Sequence, residues 1–385
     1  MRTIADENIP YAREAFGTLG EVETVPAREI TAARCHEADL LCVRSVTRVD
    51  SDLLAGSRVR FVGTATIGVD HVDTEWLSRA DIAFASAPGS NANSVSEWFV
   101  AALLALATAE GVSLAGRTLG IVGVGNVGSR VEAKARALGL EILRNDPPRA
   151  RREGAEGFVD LADLLAASDI VTLHVPLTRT GVDRTADLAD AEVFARMKAG
   201  AWFLNSSRGG VVVEDALREA LGRGAPGRAV LDVFRDEPRV APETLAASAL
   251  VTPHVAGYSF DGKVAGTAMI YEAACAATGR TPTWQPHESL PPPDVPEVRI
   301  DPGGRSPEAA LDELVRALYD IRADDARLRG IADLPDDARG EAFSRLRKEY
   351  PRRREFPHTA ARLSGGDPAL ARRVTDLGFR VERTS

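Results

Sequence analysis

Short runs of β-branched and apolar residues alternate with longer stretches rich in Ala, Leu, Glu and Arg along most of the chain. That alternation is the linear form of βαβ units, and it predicts helices packed on parallel sheets. A first series of strands is expected at "RTIAD", "DLLCVRS", "RFVGT" and "IAFASA". A second comprises "TLGIVGVG", "LEILRND", "DIVTLHVP", "AWFLNSS", "RAVLDV" and "ALVTPH". Two doubly wound α/β domains follow from two such series. The first ends near Pro88–Gly89, and a helix beginning near Ser94 bridges to the second.

That helix contains the one long apolar run, "WFVAALLALATA" from Trp98. It falls short of the roughly 20 residues needed to cross a bilayer, so a buried core helix is predicted and no membrane contact. Ser94 and Glu97 in front of the run have the spacing of a capping box. From Arg280 to Gly304 seven prolines occur in 25 residues, which disfavours both helix and sheet interior and predicts a linker. Beyond it, "PEAALDELVRALYDIRADDARLR" has helical apolar spacing, and a basic segment and a short Leu/Val-containing end complete a small third domain.

Composition narrows the class. With 44% apolar and 27% charged residues, the chain has the make-up of a globular protein in water. The net charge of −9 argues against a nucleic-acid binder, which needs clustered positive charge. Small anions remain eligible ligands, because they answer to local fields. Cys35, Cys42 and Cys275 are too scattered for a disulfide framework or a metal site, and the N-terminus lacks a signal-peptide core. A cytoplasmic protein without a bound metal is expected.

Candidate chemistry begins at "TLGIVGVGNVGSRVEAKARALG", where Gly123, Gly125 and Gly128 form GxGxxG between a strand and a helix. Gly123 permits the tight turn, Gly125 lets a pyrophosphate approach the backbone, and Gly128 lets helix and strand pack closely. The N–H groups of the helix start, Asn126 and Val127 among them, are then free to receive phosphate. Asp146 follows at the end of the next strand, about where a carboxylate holding a ribose 2′-hydroxyl is found. NAD is therefore favoured over NADP, although Arg149, Arg151 and Arg152 nearby keep the 2′-phosphate alternative open.

In open α/β sheets, ligands bind beyond the carboxyl ends of the strands. Here those ends collect Arg44 and Ser45; Thr64, Thr66 and Gly68; the glycine loop; Asp146; His174; Asn205 to Arg208; Asp232; and His254. Three of the side chains in this region suit oxidation of an alcohol beside a carboxylate. Arg208 can fork onto a carboxylate, His254 can accept the hydroxyl proton, and Glu237 can hydrogen-bond the far ring nitrogen of His254. Each also has a plainer reading, as a surface salt bridge, a core contact and a solvated acidic loop respectively.

"NSSRG", "DVFRDEP" and "PHVAG", in that order behind the glycine loop, resemble the motifs of the D-2-hydroxyacid dehydrogenase family. The resemblance implies an NAD-dependent enzyme with His254 as acid/base, Glu237 as its partner and Arg208 as substrate clamp. It implies a site between the two α/β domains and lays Val175 of "HVPLT" along the cofactor by its backbone, with His174 structural. A narrower resemblance spans nearly the whole chain: "ADENIPYA", "VRSVT", "FVGTATIGVDHVD", "NDPPRA", "AGYS" and "LRKEYPRRREF" are similar to a branch acting on a phosphorylated hydroxy acid. That branch implies substrate contacts from Ser45, Thr66 and Tyr258, and a cofactor site lined by Ser206, Ser207, Arg208, Asp232 and Gly257. It also implies a homodimer formed through the C-terminal domain. Asn145 and Val175 depart from common residues of the branch, at positions expected to work mainly through backbone.

The expected organisation is a substrate domain at 1–92 with 258–280 returning to it, an NAD domain at 93–257, a linker at 281–304, and a small α+β domain at 305–385. The substrate carboxylate is expected near Arg208 and the backbone of Ile67 and Gly68. The phosphate is expected at Arg44 and Ser45, joined by a basic residue such as Arg347 or Arg353, or else left to them while the basic helix pairs with a partner subunit. Two rivals stand: a 3-phosphoglycerate or other D-2-hydroxyacid dehydrogenase, and an NAD-sensing, corepressor-like binding protein without turnover.

Overall fold

A computed structural model of the chain describes residues 1–286, 290–364 and 367–383. The chain divides into two units, Met1–Asn93 with Tyr258–Pro292, and Ser94–Gly257 with Pro293–Ser385.

The first unit is built on a parallel sheet of β1 (Arg2–Asp6), β2 (Glu21–Val25), β3 (Leu40–Val43), β4 (Phe61–Thr64) and β5 (Ala83–Ala85), in the order β2-β1-β3-β4-β5. Alternate residues of a strand face opposite sides, so both faces need cover. Ile4, Leu41, Val43 and Val62 pack into one core, while Ala5, Leu40, Cys42 and Phe61 pack against Ile270, Tyr271 and Cys275 of the Phe260–Thr278 helix. Gly63 lets that helix come close, since a Cβ there would lie 3.1 Å from the Cβ of Ile270. The strand order reverses between β1 and β3, which is where such sheets open a ligand crevice.

The second unit holds a six-stranded parallel sheet in the order β11-β10-β9-β8-β6-β7. Its strands are β6 (Thr118–Val122), β7 (Glu141–Asn145), β8 (Ile170–Leu173), β9 (Trp202–Asn205), β10 (Arg228–Leu231) and β11 (Leu250–Val251). Leu119, Ile121, Trp202 and Leu204 meet Trp98, Phe99 and Leu103 of the Ala92–Glu110 helix on one face. Val171, Leu173, Phe203 and Leu231 pack with Leu164, Phe194 and Leu217 on the other. The Ala92–Glu110 helix is long and apolar enough to span a bilayer, but 83% of its apolar window is buried inside the protein.

Three sequence expectations need correction. Residues 305–385 contribute strands to a separate sheet but do not stand apart from the second unit. Leu311, Leu314, Phe356 and Leu377 complete one core of the second unit, and Leu328 and Phe343 the other. The predicted linker contains a strand, β12 (Glu297–Ile300), which pairs in parallel with β13 (Ala360–Leu363), itself paired with β14 (Arg380–Arg383). It fits between Pro296 and Pro302 and sits at a sheet edge, where flanking prolines cost no ladder bonds. Residues 287–289 of the same segment lie outside the described residues. Finally, Ser94 and Glu97 do not cap a helix, because the helix starts at Ala92. Both are buried within it: Ser94 Oγ donates to the Ala256 carbonyl at 2.8 Å, and Glu97 accepts from the Phe356 N–H at 2.9 Å.

Candidate active site

The register of the second sheet explains why the sequence motifs converge. Asn145, Val122, Leu173, Asn205, Leu231 and Val251 stand opposite one another in a single rung across six strands. The next residue on each strand is therefore Asp146, Gly123, His174, Ser206, Asp232 and Thr252, one row along the carboxyl edge. Between β6 and β8 the order reverses, and the glycine loop sits there. Gly123 has φ +87°, and a Cβ on it would lie 2.6 Å from the His174 carbonyl oxygen. Gly128 would collide with the Gly123 carbonyl, so the Asn126–Ala137 helix can start this close to the strand only because both are glycine.

This loop fits a dinucleotide. A Cβ at Gly125 would meet open space, and the helix after it begins without a side-chain cap, leaving the first-turn N–H groups of Asn126, Val127 and Gly128 available to phosphate. Val175 lies beside the loop, its Cγ1 2.9 Å from where a Gly123 Cβ would be. Asp146 ties the row together: its carboxylate accepts from the N–H of Val124 at 2.8 Å and of Arg149 at 2.9 Å. Asn145 contributes by side chain as well as backbone, its amide reaching the Val159 carbonyl at 2.9 Å. Ser206 Oγ is buried without a partner among the described residues, whereas Ser207 spends both N–H and hydroxyl on Asn205 Oδ1. Ser206 thus offers a bond to a ligand, and Ser207 shapes the loop. His174 is structural: its Nε2 pairs with Thr172 Oγ1 at 3.0 Å, and burial pushes the ring down to about 3, so it is neutral.

Farther along the row stands His254, paired with Glu237. His254 Nδ1 and Glu237 Oε2 are 2.7 Å apart. An ionised carboxylate can only accept, so the ring carries a hydrogen on Nδ1, and in the neutral ring Nε2 is the acceptor. Burial opposes the charge on Glu237, but the His254 ring, its hydrogen bond and the Phe234 N–H at 2.8 Å outweigh burial and hold the carboxyl below its ordinary range. His254 itself has a left-handed backbone, φ +56°, unusual outside glycine and costing about 1–2 kcal/mol. Its N–H donates to the Asp232 and Thr252 carbonyls at 2.8 and 2.9 Å. The Asp232 carboxylate then gathers the Thr252 hydroxyl at 2.5 Å and the N–H groups of Val255 and Ala256 at 2.8 and 3.1 Å. Trp98 closes the chain by donating to Thr252 Oγ1 at 3.0 Å. Asp232 is fully buried, which raises its carboxyl against the pull of His254 and these donors.

Arg208 stands on the loop after β9, half-buried, with Nη1 donating to the Ser207 carbonyl at 2.8 Å. Gly209 sets that loop against the Glu237 loop: a Cβ on it would lie 1.8 Å from the Phe234 carbonyl oxygen. Asn205 is expected at this strand end, but Thr252, Trp98 and Gly209 escape motif reading, because their work is support seen only in three dimensions. The doubled glycine of "NSSRGG" was the available signal.

In the first unit, Arg44 and Ser45 follow β3 at the point of strand-order reversal, with Arg44 Nη1 donating to the Asn8 carbonyl at 3.0 Å. Thr66 Oγ1 donates to the Gly68 carbonyl at 3.1 Å, Thr64 Oγ1 to Thr66 at 2.8 Å, and His71 Nε2 to Thr64 at 3.0 Å. One hydrogen per hydroxyl fixes these directions. Ile67 lies on the half-buried turn between Thr66 and Gly68, and the Tyr258 ring lies under Lys263 Nζ at 4.6 Å. Arg353, expected to help hold a phosphate, is instead buried in the second unit. It donates to the Ala256 carbonyl at 2.8 Å and to Ser94, and its guanidinium lies 4.2 Å from the Tyr319 ring centre.

Comparison with known proteins agrees with this arrangement. Residues 75–256 match the family model of the D-isomer specific 2-hydroxyacid dehydrogenase NAD binding domain, and residues 289–378 match a domain of unknown function. The chain is 50% identical over 366 residues to the erythronate-4-phosphate dehydrogenase of Salinibacter ruber, covering 92% of each chain. It is 47% identical to that of Azotobacter vinelandii, covering 98% of this chain and 99% of the other. The crystal structure of a Thermus thermophilus protein superposes with a TM-score of 0.63 at 28% identity, covering 73% of this chain and 98% of the other. D-lactate dehydrogenase of Aquifex aeolicus, complexed with NAD and lactic acid, shares the fold with a TM-score of 0.60 at 24% identity, covering 72% and 96%. The Ser94–Gly257 part of the second unit thus belongs to an NAD-binding domain, and the chain belongs to the erythronate-4-phosphate dehydrogenase family, within the D-isomer specific 2-hydroxyacid dehydrogenases.

Proposed function

We propose that this protein oxidises 4-phospho-D-erythronate to (R)-3-hydroxy-2-oxo-4-phosphobutanoate, with NAD as acceptor, on a bacterial route to pyridoxal 5′-phosphate. The observation that carries the reading is the 2.7 Å Glu237–His254 pair on the same strand-end row as the dinucleotide loop. The family membership supplies the substrate.

NAD, held at Gly123, Gly125, Asn126, Val127, Gly128, Asp146, Val175, Ser206, Ser207, Arg208, Asp232 and Gly257, supplies the hydride acceptor. His254 takes the C2 hydroxyl proton on Nε2 as the carbonyl forms, and Glu237 stabilises the resulting imidazolium. Arg208 orients the substrate carboxylate and the oxygen that becomes the carbonyl. Ser45, Thr66, Ile67, Gly68 and Tyr258 contact the substrate, and Arg44 with Ser45 receives its phosphate. The protein works in the cytoplasm, where its free, buried thiols stay reduced, and as a homodimer joined through residues 305–385.

A panel of phosphorylated and unphosphorylated 2-hydroxy acids, each assayed with NAD and with NADP, tests this. The expected result is the highest kcat/KM for 4-phospho-D-erythronate with NAD. A higher value for 3-phosphoglycerate or D-lactate would reassign the substrate, and no NADH from any acid would leave a nucleotide-binding protein without turnover.

A further inference from the structure

The segment matching a domain of unknown function is in direct contact with the loops that carry both halves of the acid/base pair. Its Asp336–Lys348 helix lies along the loop that carries Glu237. Arg339 Nε donates to the Val240 carbonyl at 2.8 Å, and a Cβ on Gly340 would lie 3.6 Å from Pro238. Phe343 stands edge-on to Phe234, ring centres 6.3 Å apart. Positions 340, 343 and 347 fall on one helical face, so Arg347 continues this stripe by one turn. Its Nε is shut off from solvent. Shortly after the helix ends, a second anchor follows: Arg353 grips the Ala256 carbonyl in the turn that follows His254.

We infer that Arg347 is a positioning residue for the proposed oxidation, its guanidinium holding the Glu237 carboxylate toward His254, so that the C-terminal segment is a working part of the acid/base pair. This rests on the reading of His254 and Glu237 given above.

The groups facing Glu237 are few. His254 comes from the turn after β11 and Arg347 from the C-terminal helix, and both charges favour the carboxylate. Arg208, on the loop beside it, donates to Ser207. On the Glu237 loop itself, Arg235 turns to Asp187, Arg239 to Asp337 at 2.9 Å, and Asp236 to solvent. Asp232, behind His254, is occupied by Thr252, Val255 and Ala256. Arg347 is thus the cation that the C-terminal segment adds to the pair.

The test uses the full chain with Arg347→Met and Arg347→Lys. Two readouts are taken: the pH profile of kcat/KM for 4-phospho-D-erythronate, and the titration of the Glu237 carboxyl by carbon NMR without substrate. Loss of the cation favours protonation of both partners, so Arg347→Met should move the acid limb and the Glu237 titration upward by about half a unit to one unit. It should lower kcat, and Arg347→Lys should restore most of the change. Thermal melts identify any variant that has lost its fold, and the lysine variant then decides by the same two readouts. An unmoved Glu237 titration in folded Arg347→Met overturns the proposal. So does a rise in KM for the phosphorylated acid with kcat and limb unchanged, which would return Arg347 to phosphate binding. If the wild-type protein gives no NADH, the proposed oxidation fails, yet the NMR titration still decides whether Arg347 holds Glu237.

Discussion

At the scale of single residues, the pair separates into what each member contributes. In the proposed reaction His254→Ala removes the proton acceptor and leaves binding intact, so kcat should fall by about 10²–10⁴-fold with little change in the Kd for NAD. An alanine variant with near-normal turnover would take His254 out of the reaction. Glu237→Gln deletes the anion that favours imidazolium, and the acid limb of kcat/KM should therefore move to lower pH, opposite to the shift expected for Arg347→Met. His254 and Glu237 can be picked out as candidates in the sequence because each carries its chemistry in its own side chain beyond a recognisable strand end, whereas Arg347 shows there only as one charge of a basic run, expected at the phosphate. Gly209 cannot be picked out, because what matters there is an absent atom. Gly209→Ala drives a methyl into the Phe234 carbonyl, and should disrupt the Arg208 loop and the Glu237 loop together. Normal activity in that variant would mean the two loops are not mechanically joined.

At the scale of elements, long strands with clean apolar runs could be read directly, and the predicted series in both sheets formed. β2 was missed because "EVETV" mixes charges into an edge strand, and β12 because prolines crowd its flanks rather than its interior. The capping-box reading of Ser94 and Glu97 failed for a related reason: spacing cannot tell a helix end from a buried docking face. The buried face has a testable signature. Burial and nearby Glu355, acting against Lys134 and Arg353, push the Glu97 carboxyl up to about 8. The folded protein then prefers neutral Glu97, so its contribution is full below the ordinary carboxylate range and is lost as pH rises toward 8. Glu97→Gln keeps an oxygen for the Phe356 N–H but cannot ionise. Its unfolding free energy should decline less than that of the wild type between about pH 5 and 8, by on the order of a few kcal/mol at most, and its melting temperature should follow. Parallel curves would mean that Glu97 is ionised throughout, compensated by its cationic neighbours.

At the scale of the whole molecule, the proline-rich segment predicts a small third domain beyond it, yet the apolar residues there finish cores that the NAD-binding part begins. Leu311, Leu314, Val315, Phe356, Leu377 and Phe379 are each at most 5% exposed and belong to the cluster that contains Trp98, Leu119 and Val131. Polar ties cross the same boundary: Glu308 accepts from the Leu114 N–H at 2.9 Å, and Lys134 donates to the Leu377 carbonyl at 2.7 Å. Burying each of these side chains is worth about 1.5–3 kcal/mol, so half a dozen of them rival the roughly 5–15 kcal/mol by which a typical domain is stable. A chain ending at Pro292 should therefore lose the cooperative melt of the second unit and aggregate, because the exposed face of the Asn126–Ala137 helix and the carboxyl of Glu97 would both be left uncovered. Supplying residues 293–385 as a separate polypeptide should recover some of the folded material if the loss is one of cover alone. A truncated protein that melts at the wild-type temperature would show that these contacts are made at no net gain, and would reinstate an independent third domain.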